Sequence, residues 1–180
     1  MQPWRVHKTR RLLERPWLTL HEQHVVLPGG AEIEQFHLIE APDWVAVLAL
    51  SETGEAVMVE QYRHGAGSVT RELPAGVIDD GEGPLDAARR ELREETGYEA
   101  AEWQPLIEVA TEPSRHTNRA YFFFARGARR VAEQALDASE LIHVKLVPVR
   151  ELLSAVERGD IVHGLHIAAI LMARHRGWLE

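Results

Sequence analysis

Cysteine is absent from the 180 residues, which excludes disulfides and cysteine-ligated zinc and fits a reducing cytoplasm. Long apolar runs are also missing. The longest, WVAVLAL from Trp44 and IAAILMA from Ile167, fall far short of the roughly 20 residues a bilayer-spanning helix needs. No apolar segment follows the opening MQPWRVHKTRR, so a secretory signal is not expected. Positive charge is scarce: 20 Lys and Arg stand against 28 Asp and Glu, a formal net charge of −8. A broad contact with DNA or RNA is therefore not expected, because such binding leans on Lys and Arg neutralising phosphates. A small phosphate-bearing ligand stays open, since one arginine and a bound metal reverse a local field. No internal repeat or low-complexity tract is found.

What is there suits one domain, or one domain with an accessory arm. A 45% hydrophobic content is ordinary for a globular chain. LTLHEQHVVL and AEIEQFHLIE alternate apolar and polar residues around Pro28-Gly29-Gly30, the pattern of two strands joined by a turn. Ala41-Pro42 then breaks the pattern, so residues 1–42 are expected to form a β-rich arm and residues 43–180 the main domain. WVAVLAL and AVMVEQYR flank a Thr53-Gly54 turn and predict a hairpin. Pro84 after Gly83 opens a helix, Gly97 stops it, and Leu85, Ala88 and Leu92 give it one buried face. RAYFFFAR and LIHVKLV read as strands of a central sheet. PVRELLSAVERG, from Pro148 to Gly159, and His163 to Arg176 read as helices. Strands interleaved with three helices imply an α+β fold, a mixed sheet covered by helices.

The stretch from Gly76 to Tyr98, GVIDDGEGPLDAARRELREETGY, holds seven carboxylic acids. Glu91, Glu94 and Glu95 stand three and four apart, so a helix gathers them on one side, where like charges repel. Either this is a solvated acidic face compensated by Arg89, Arg90 and Arg93, or a cation belongs there. The surrounding spacing favours the cation. Gly76, Glu82, Arg90, Glu91, Leu92, Glu94, Glu95 and Gly97 resemble the signature of the Nudix hydrolases, G-x5-E-x7-R-E-U-x-E-E-x-G-U, with U a bulky aliphatic residue. Only the last position departs, Tyr98 replacing an aliphatic residue, which is a packing change.

The resemblance implies an α/β/α sandwich with a mixed central sheet and hydrolysis of a diphosphate that joins two organic groups. It implies Mg²⁺, with Mn²⁺ as a substitute, held by the Ala75 carbonyl and the side chains of Glu91 and Glu95, assisted by Glu94. Mg²⁺ wants oxygen ligands and is usually held by a few carboxylates plus substrate phosphates. Glu82 is expected to pair with Arg90 and hold the loop onto the helix, direct ligation being the alternative.

Flanking residues narrow the substrate. VEQYRHGAG followed by RELPAG is similar to the ADP-ribose pyrophosphatase branch and its relatives acting on other nucleoside diphosphate sugars. By that match Arg63 binds a substrate phosphate, its planar fork suiting phosphate oxygens, and Glu72 lies near the metal or ribose. The alternative for Arg63 is a surface position on an edge strand. Pro113, sixteen residues beyond Gly97, is a mark of the same branch. WRV and RPWLT resemble that branch's N-terminal arm, which commonly contributes to a homodimer and to the adenine site, so Trp17 is a candidate for stacking on a base, with packing as the alternative.

A water attacking phosphorus needs a proton acceptor within about 3 Å. In the branch a loop glutamate serves. ALDASELIHV makes Glu140 the candidate, with Asp137 second and Glu112 third; a helix glutamate, Glu94 or Glu95, is the remaining option. His163 and His166 lack a third ligand in reach and are read as ordinary hydrogen-bonded histidines; nothing in the spacing ties His116 to substrate. The resemblance thus points to Mg²⁺-dependent cleavage of ADP-ribose to AMP and ribose 5-phosphate in the cytoplasm, by a homodimer that uses no nucleic acid or membrane. Hydrolysis of another nucleotide sugar, such as GDP-mannose, and a non-catalytic ADP-ribose sensor are the competing readings.

Overall fold

The computed structural model describes residues 2–179. The fold is mixed α+β, with eleven strands and three helices among the described residues, in two compact units. One unit runs to Asp43 and takes in Val109–Arg119; the other comprises Trp44–Glu108 and Ala120 onward.

The first unit is a three-stranded antiparallel sheet of β1 (Arg5–Arg15), β2 (Leu18–Val26) and β3 (Glu32–Glu40), in that order. The two alternating segments form β2 and β3 as expected. β1, RVHKTRRLLER, is exposed along its whole length. Its charge hid it, because a strand with no buried face shows no alternation. Cross-strand pairs hold the register: Arg10 with Glu22 at 2.9 Å, His21 with Glu40 at 2.8 Å, and His24 with Glu32 at 2.6 Å. The segment around Arg115 joins this unit through backbone bonds, Ile39 N to Arg115 O at 2.8 Å and Thr117 N to Ile39 O at 3.0 Å.

The second unit is built on an eight-stranded sheet. Its main path runs β11 (Ile142–Pro148), β5 (Glu55–Arg63), β4 (Trp44–Ser51), β10 (Arg119–Arg130) and β8 (Tyr98–Glu99). Off this path β6 (Ser68–Glu72) pairs with β5, β7 (Ala75–Val77) with β4, and β9 (Glu102–Ala110) with β10. β4 runs parallel to β10 and antiparallel to β5 and β7, so the sheet is mixed.

β4 is central and buried on both faces, which explains its unbroken apolar run. Its two faces follow the period of 2. Val45, Val47 and Ala49 join Phe123 and Ala125 of β10 in a core completed by Ala87, Ala88 and Leu92 of α1 (Pro84–Thr96). On the other face Trp44 and Phe122 pack against His166 of α3 (Gly164–His175). The remaining helix, α2 (Val149–Arg158), follows β11; Pro148, the expected first helical residue, is instead the last residue of that strand and the N-cap, so the helix starts one position later. Among the described residues no helix is long and apolar enough to cross a membrane.

Candidate active site

The site begins in the segment Ala75–Gly97. β7 pairs with β4, and a loop returns the chain to α1, where Pro84 fills the first helical position and its missing N–H costs nothing. The loop is pinned by Glu82. Its carboxylate takes Arg90 Nε at 3.0 Å and Arg90 Nη2 at 2.8 Å, and it also accepts the Asp79 amide at 3.2 Å. Arg90 Nη2 donates to Val77 O at 2.9 Å as well. Loop and helix are thus cross-tied as the spacing suggested.

Arg90 also serves the acids. Its Nη1 lies 2.6 Å from Glu91 and 3.2 Å from Glu94. Glu91 and Glu95 are buried on the sheet side of α1, whereas Glu94 is half-exposed; only two of the three carboxylates turn inward. Burial pushes the Glu91 carboxyl up, against the pull of Arg90. Glu95 is driven further, to about 8, mainly by burial, with Glu91 and Glu140 adding to it. Its Oε2 accepts a hydrogen bond from the Ala75 amide, at 2.9 Å. A carboxylate 2% exposed, with an amide donor and with the like charges of Glu91 and Glu140 outweighing the pull of Arg63, is short of counter-charge.

That deficit is the observation against which a cation can be tested. Among the described residues no three acidic or imidazole groups converge as a complete metal cage. Mg²⁺ needs less, because one or two carboxylates suffice when phosphate oxygens and water complete its shell. Glu91 and Glu95 fit such a half-site.

Next to β7 lies a cavity of about 550 Å³ bounded by Trp44, Arg63, Thr70, Glu72, His163 and His166, with Ala75 and Gly76 on its wall. The α1 carboxylates are not in its lining; Ala75 links the two, its amide bound to Glu95. Arg63 and Glu72 are brought together directly. Arg63 Nε reaches Oε1 of Glu72 at 3.0 Å, Nη2 reaches Oε2 at 2.6 Å, and the Thr70 hydroxyl donates to Oε1 at 2.6 Å. Burial pushes Glu72 up, but the bonds from Arg63 and Thr70 outweigh it and leave its pKa below the ordinary value. Glu72 raises Arg63 in turn.

The two histidines form the far wall. Their rings stack 4.1 Å apart, and Trp44 meets His163 edge-on at 5.5 Å. The Leu73 amide donates to Nδ1 of His166 at 3.2 Å, so the neutral ring carries its proton on Nε2. The expectation of ordinary hydrogen-bonded rings holds on one side only, because His166 Nε2 and His163 Nδ1 have no partner among the described residues. Burial lowers His163 and takes His166 down to about 3. Trp44 and Thr70 were missed as site residues; both lie within strands, where apolar or alternating patterns read as packing.

Glu140 lies in the loop between β10 and β11. Its Oε2 accepts the Asp137 amide at 3.0 Å, and its own amide donates to Asp137 O at 2.9 Å. Its charge acts on Glu91, Glu95 and Arg63 alike. Glu112 and His116 fall in the first unit, where the Glu112 carboxylate is occupied by the hydroxyl and amide of Ser114. Trp17 also lies in that unit, in the turn between β1 and β2, and is 72% exposed.

Comparison with known proteins places this geometry. Residues 41–166 match the NUDIX domain, and residues 4–39 match the nucleoside diphosphate sugar hydrolase N-terminal domain. An ADP-ribose pyrophosphatase of Mycobacterium tuberculosis (strain ATCC 25618 / H37Rv) is 36% identical over 154 residues, 84% of this chain and 74% of the relative. A methanol dehydrogenase activator of Bacillus methanolicus is 31% identical over 164 residues, 91% and 88% of the two chains. A crystal structure of an ADP compounds hydrolase superposes with a TM-score of 0.86 at 18% identity, covering 99% of this chain and 97% of the other, a likeness of fold. With its Gly76-to-Gly97 signature folded as strand, loop and helix, the chain belongs to the Nudix hydrolases, in the branch that carries the N-terminal domain of nucleoside diphosphate sugar hydrolases.

Proposed function

We propose that this enzyme hydrolyses the diphosphate bond of ADP-ribose, giving AMP and ribose 5-phosphate, with Mg²⁺ as cofactor and Mn²⁺ as a substitute. One observation carries the reading: Glu91 and Glu95 are buried against β7 with Arg90 bonded to Glu91 and a backbone amide to Glu95, a pair of carboxylates short of positive charge beside Ala75, which lines a cavity that holds an arginine. A divalent cation between those carboxylates and a diphosphate would supply the missing charge and polarise the phosphoryl oxygens. Ala75 would lend its carbonyl and Glu94 would assist.

The rest is the work of the chain's own side chains. Arg63, oriented by Glu72, turns the part of its guanidinium that Glu72 does not occupy to a substrate phosphate. Glu140 accepts the proton of the attacking water as the new P–O bond forms and the bridging P–O bond breaks. One Glu140 oxygen is taken by the Asp137 amide, leaving the other for this task. Trp17 stacks on the adenine, and the N-terminal sheet, residues 1–42, pairs two copies into a homodimer. The protein acts in the cytoplasm.

A second reading, hydrolysis of another nucleoside diphosphate sugar such as GDP-mannose, has support in the match of residues 4–39 to a domain of that wider class. The test is a panel of nucleoside diphosphate sugars at fixed Mg²⁺ with kcat/KM compared. ADP-ribose is expected to rank first, with AMP as product. A higher kcat/KM for GDP-mannose selects the second reading, and binding of ADP-ribose without AMP formation rejects catalysis. Glu140→Gln is expected to lower kcat by about 10²-fold or more with KM little changed.

A further inference from the structure

The loop that carries Glu140 spans residues 131–141 and has no regular secondary structure, so something else must fix it. The fixing comes from α1. The last carbonyls of any helix lack intrahelical partners and must find others. In α1, Arg93 O receives the Gly97 amide at 2.8 Å, the ordinary left-handed glycine cap. The next two carbonyls are taken by the Glu140 loop. Glu94 O accepts the Ala135 amide at 2.9 Å, and Glu95 O accepts Nε2 of Gln134 at 2.6 Å.

Gln134 does more than fill a cap. The same Nε2 also donates to Ile142 O at 3.1 Å, at the start of β11. A side-chain amide carries two hydrogens, so both bonds form at once. One nitrogen thus joins the residue that bears Glu95 to the strand that receives the loop, pinching residues 135–141 at their base. Within that pinch Asp137 and Glu140 close a turn of their own.

We propose that Gln134 is a positioning residue for catalysis, setting the distance between the Glu140 carboxylate and the Glu91/Glu95 carboxylates by tying the loop root to the C-terminal end of α1. The proposal rests on the reading of Glu140 as proton acceptor. Without the tie the Val131 and Ala132 amides still hold the loop's first residues to Gly97 O and the Ala135 amide still binds Glu94 O, but the bond from this end of α1 to Ile142 is lost and the root widens on the β11 side. A displacement of about 1 Å of a reacting group can cost on the order of 10²-fold in rate.

The experiment compares wild type with Gln134→Ala, Gln134→Met, Glu140→Gln and Gln134→Ala/Glu140→Gln, measuring kcat, KM and Tm with ADP-ribose and Mg²⁺. Methionine keeps the side chain's length and neutrality and removes the donor, so it carries the test should the alanine variant fold poorly. Each Gln134 variant is expected to lose about 10- to 30-fold in kcat with KM within about 3-fold, and to cost nothing further in the Glu140→Gln background. Hydrogen exchange at the Ala135 and Glu140 amides is expected to quicken about 10-fold in Gln134→Met, with the interior of α1 unchanged. Wild-type kcat in Gln134→Met, or an equal loss from Gln134→Ala with and without Glu140, would overturn the positioning role. Wild-type kcat in Glu140→Gln alone removes the acceptor itself and is seen without touching Gln134; it overturns the proposal by that separate route.

Discussion

The Cβ that Gly76 lacks would fall on the Glu91 carboxylate. The glycine here is required by the close approach of β7 to a helix side chain, with no special backbone angle involved. Gly76→Ala should therefore push Glu91 off its place and lower kcat by about 10²-fold or more, while Tm falls only a few degrees. Steady-state kinetics beside a melting curve checks this; a variant with intact kcat would show that the Glu91 position does not matter.

Arg63 and Glu72 are coupled in charge as well as in geometry. Glu72 has a folded pKa below its ordinary value, so its stabilising contribution is present above about 4.5 and is lost as pH falls through the folded pKa. Arg63→Met leaves a buried carboxylate supported by Thr70 alone. Breaking a buried pair costs about 3 kcal/mol or more, and the partial exposure of Arg63 reduces this to about 2 kcal/mol. The deficit should be largest at neutral pH and shrink on acidification, as Glu72 takes up a proton. Urea unfolding of both proteins at pH 7 and about pH 3 measures it; an equal deficit at both would deny the coupling.

Glu95 has the opposite sign. Its folded pKa near 8 lies above the ordinary 4.5, so the folded protein keeps a proton that the unfolded chain has released. Stability without metal should be full below pH 4.5 and decline as pH rises toward 8. Glu95→Gln is then expected to be more stable than wild type at pH 8.5 in EDTA, on the order of a few kcal/mol, and similar at pH 4. Added Mg²⁺ or Mn²⁺ should raise the wild-type Tm at pH 8.5 and leave Glu95→Gln unmoved.

Arg90 divides its donors between Glu82 on one side and Glu91 and Glu94 on the other. Glu82→Gln removes the charge that draws it toward the loop, and the guanidinium should lean onto Glu91. The Mg²⁺ concentration for half-maximal activity is expected to rise about 3- to 10-fold, with kcat at saturating metal reduced less. Activity titrated against Mg²⁺ checks it. An unchanged midpoint would mean that Arg90 does not compete for Glu91.

These contrasts mark what sequence could and could not convey. Residues 76–97 were legible because several local rules agree there: proline at the helix start, glycine at its end and carboxylates at helical spacing. The pairing of Glu82 with Arg90 followed from the same stretch. The inward turn of Glu91 and Glu95, and not of Glu94, depends on where β7 lies, which no local pattern encodes. β1 escaped because a fully exposed strand has no alternation to display. Trp44 and Leu73 meet His166 only through the packing of α3, more than ninety residues downstream of Leu73 in the case of the amide contact.

The stacked histidines bear on how the cavity behaves in solution. With His166 brought down to about 3, its ring stays uncharged from mildly acidic to alkaline medium, and burial moves His163 in the same direction. Histidine is the residue that most often makes a pocket sensitive to acidity; here burial turns His166 into an inert screen. Mild acidification would leave the electrostatic surface at the His166 ring unchanged.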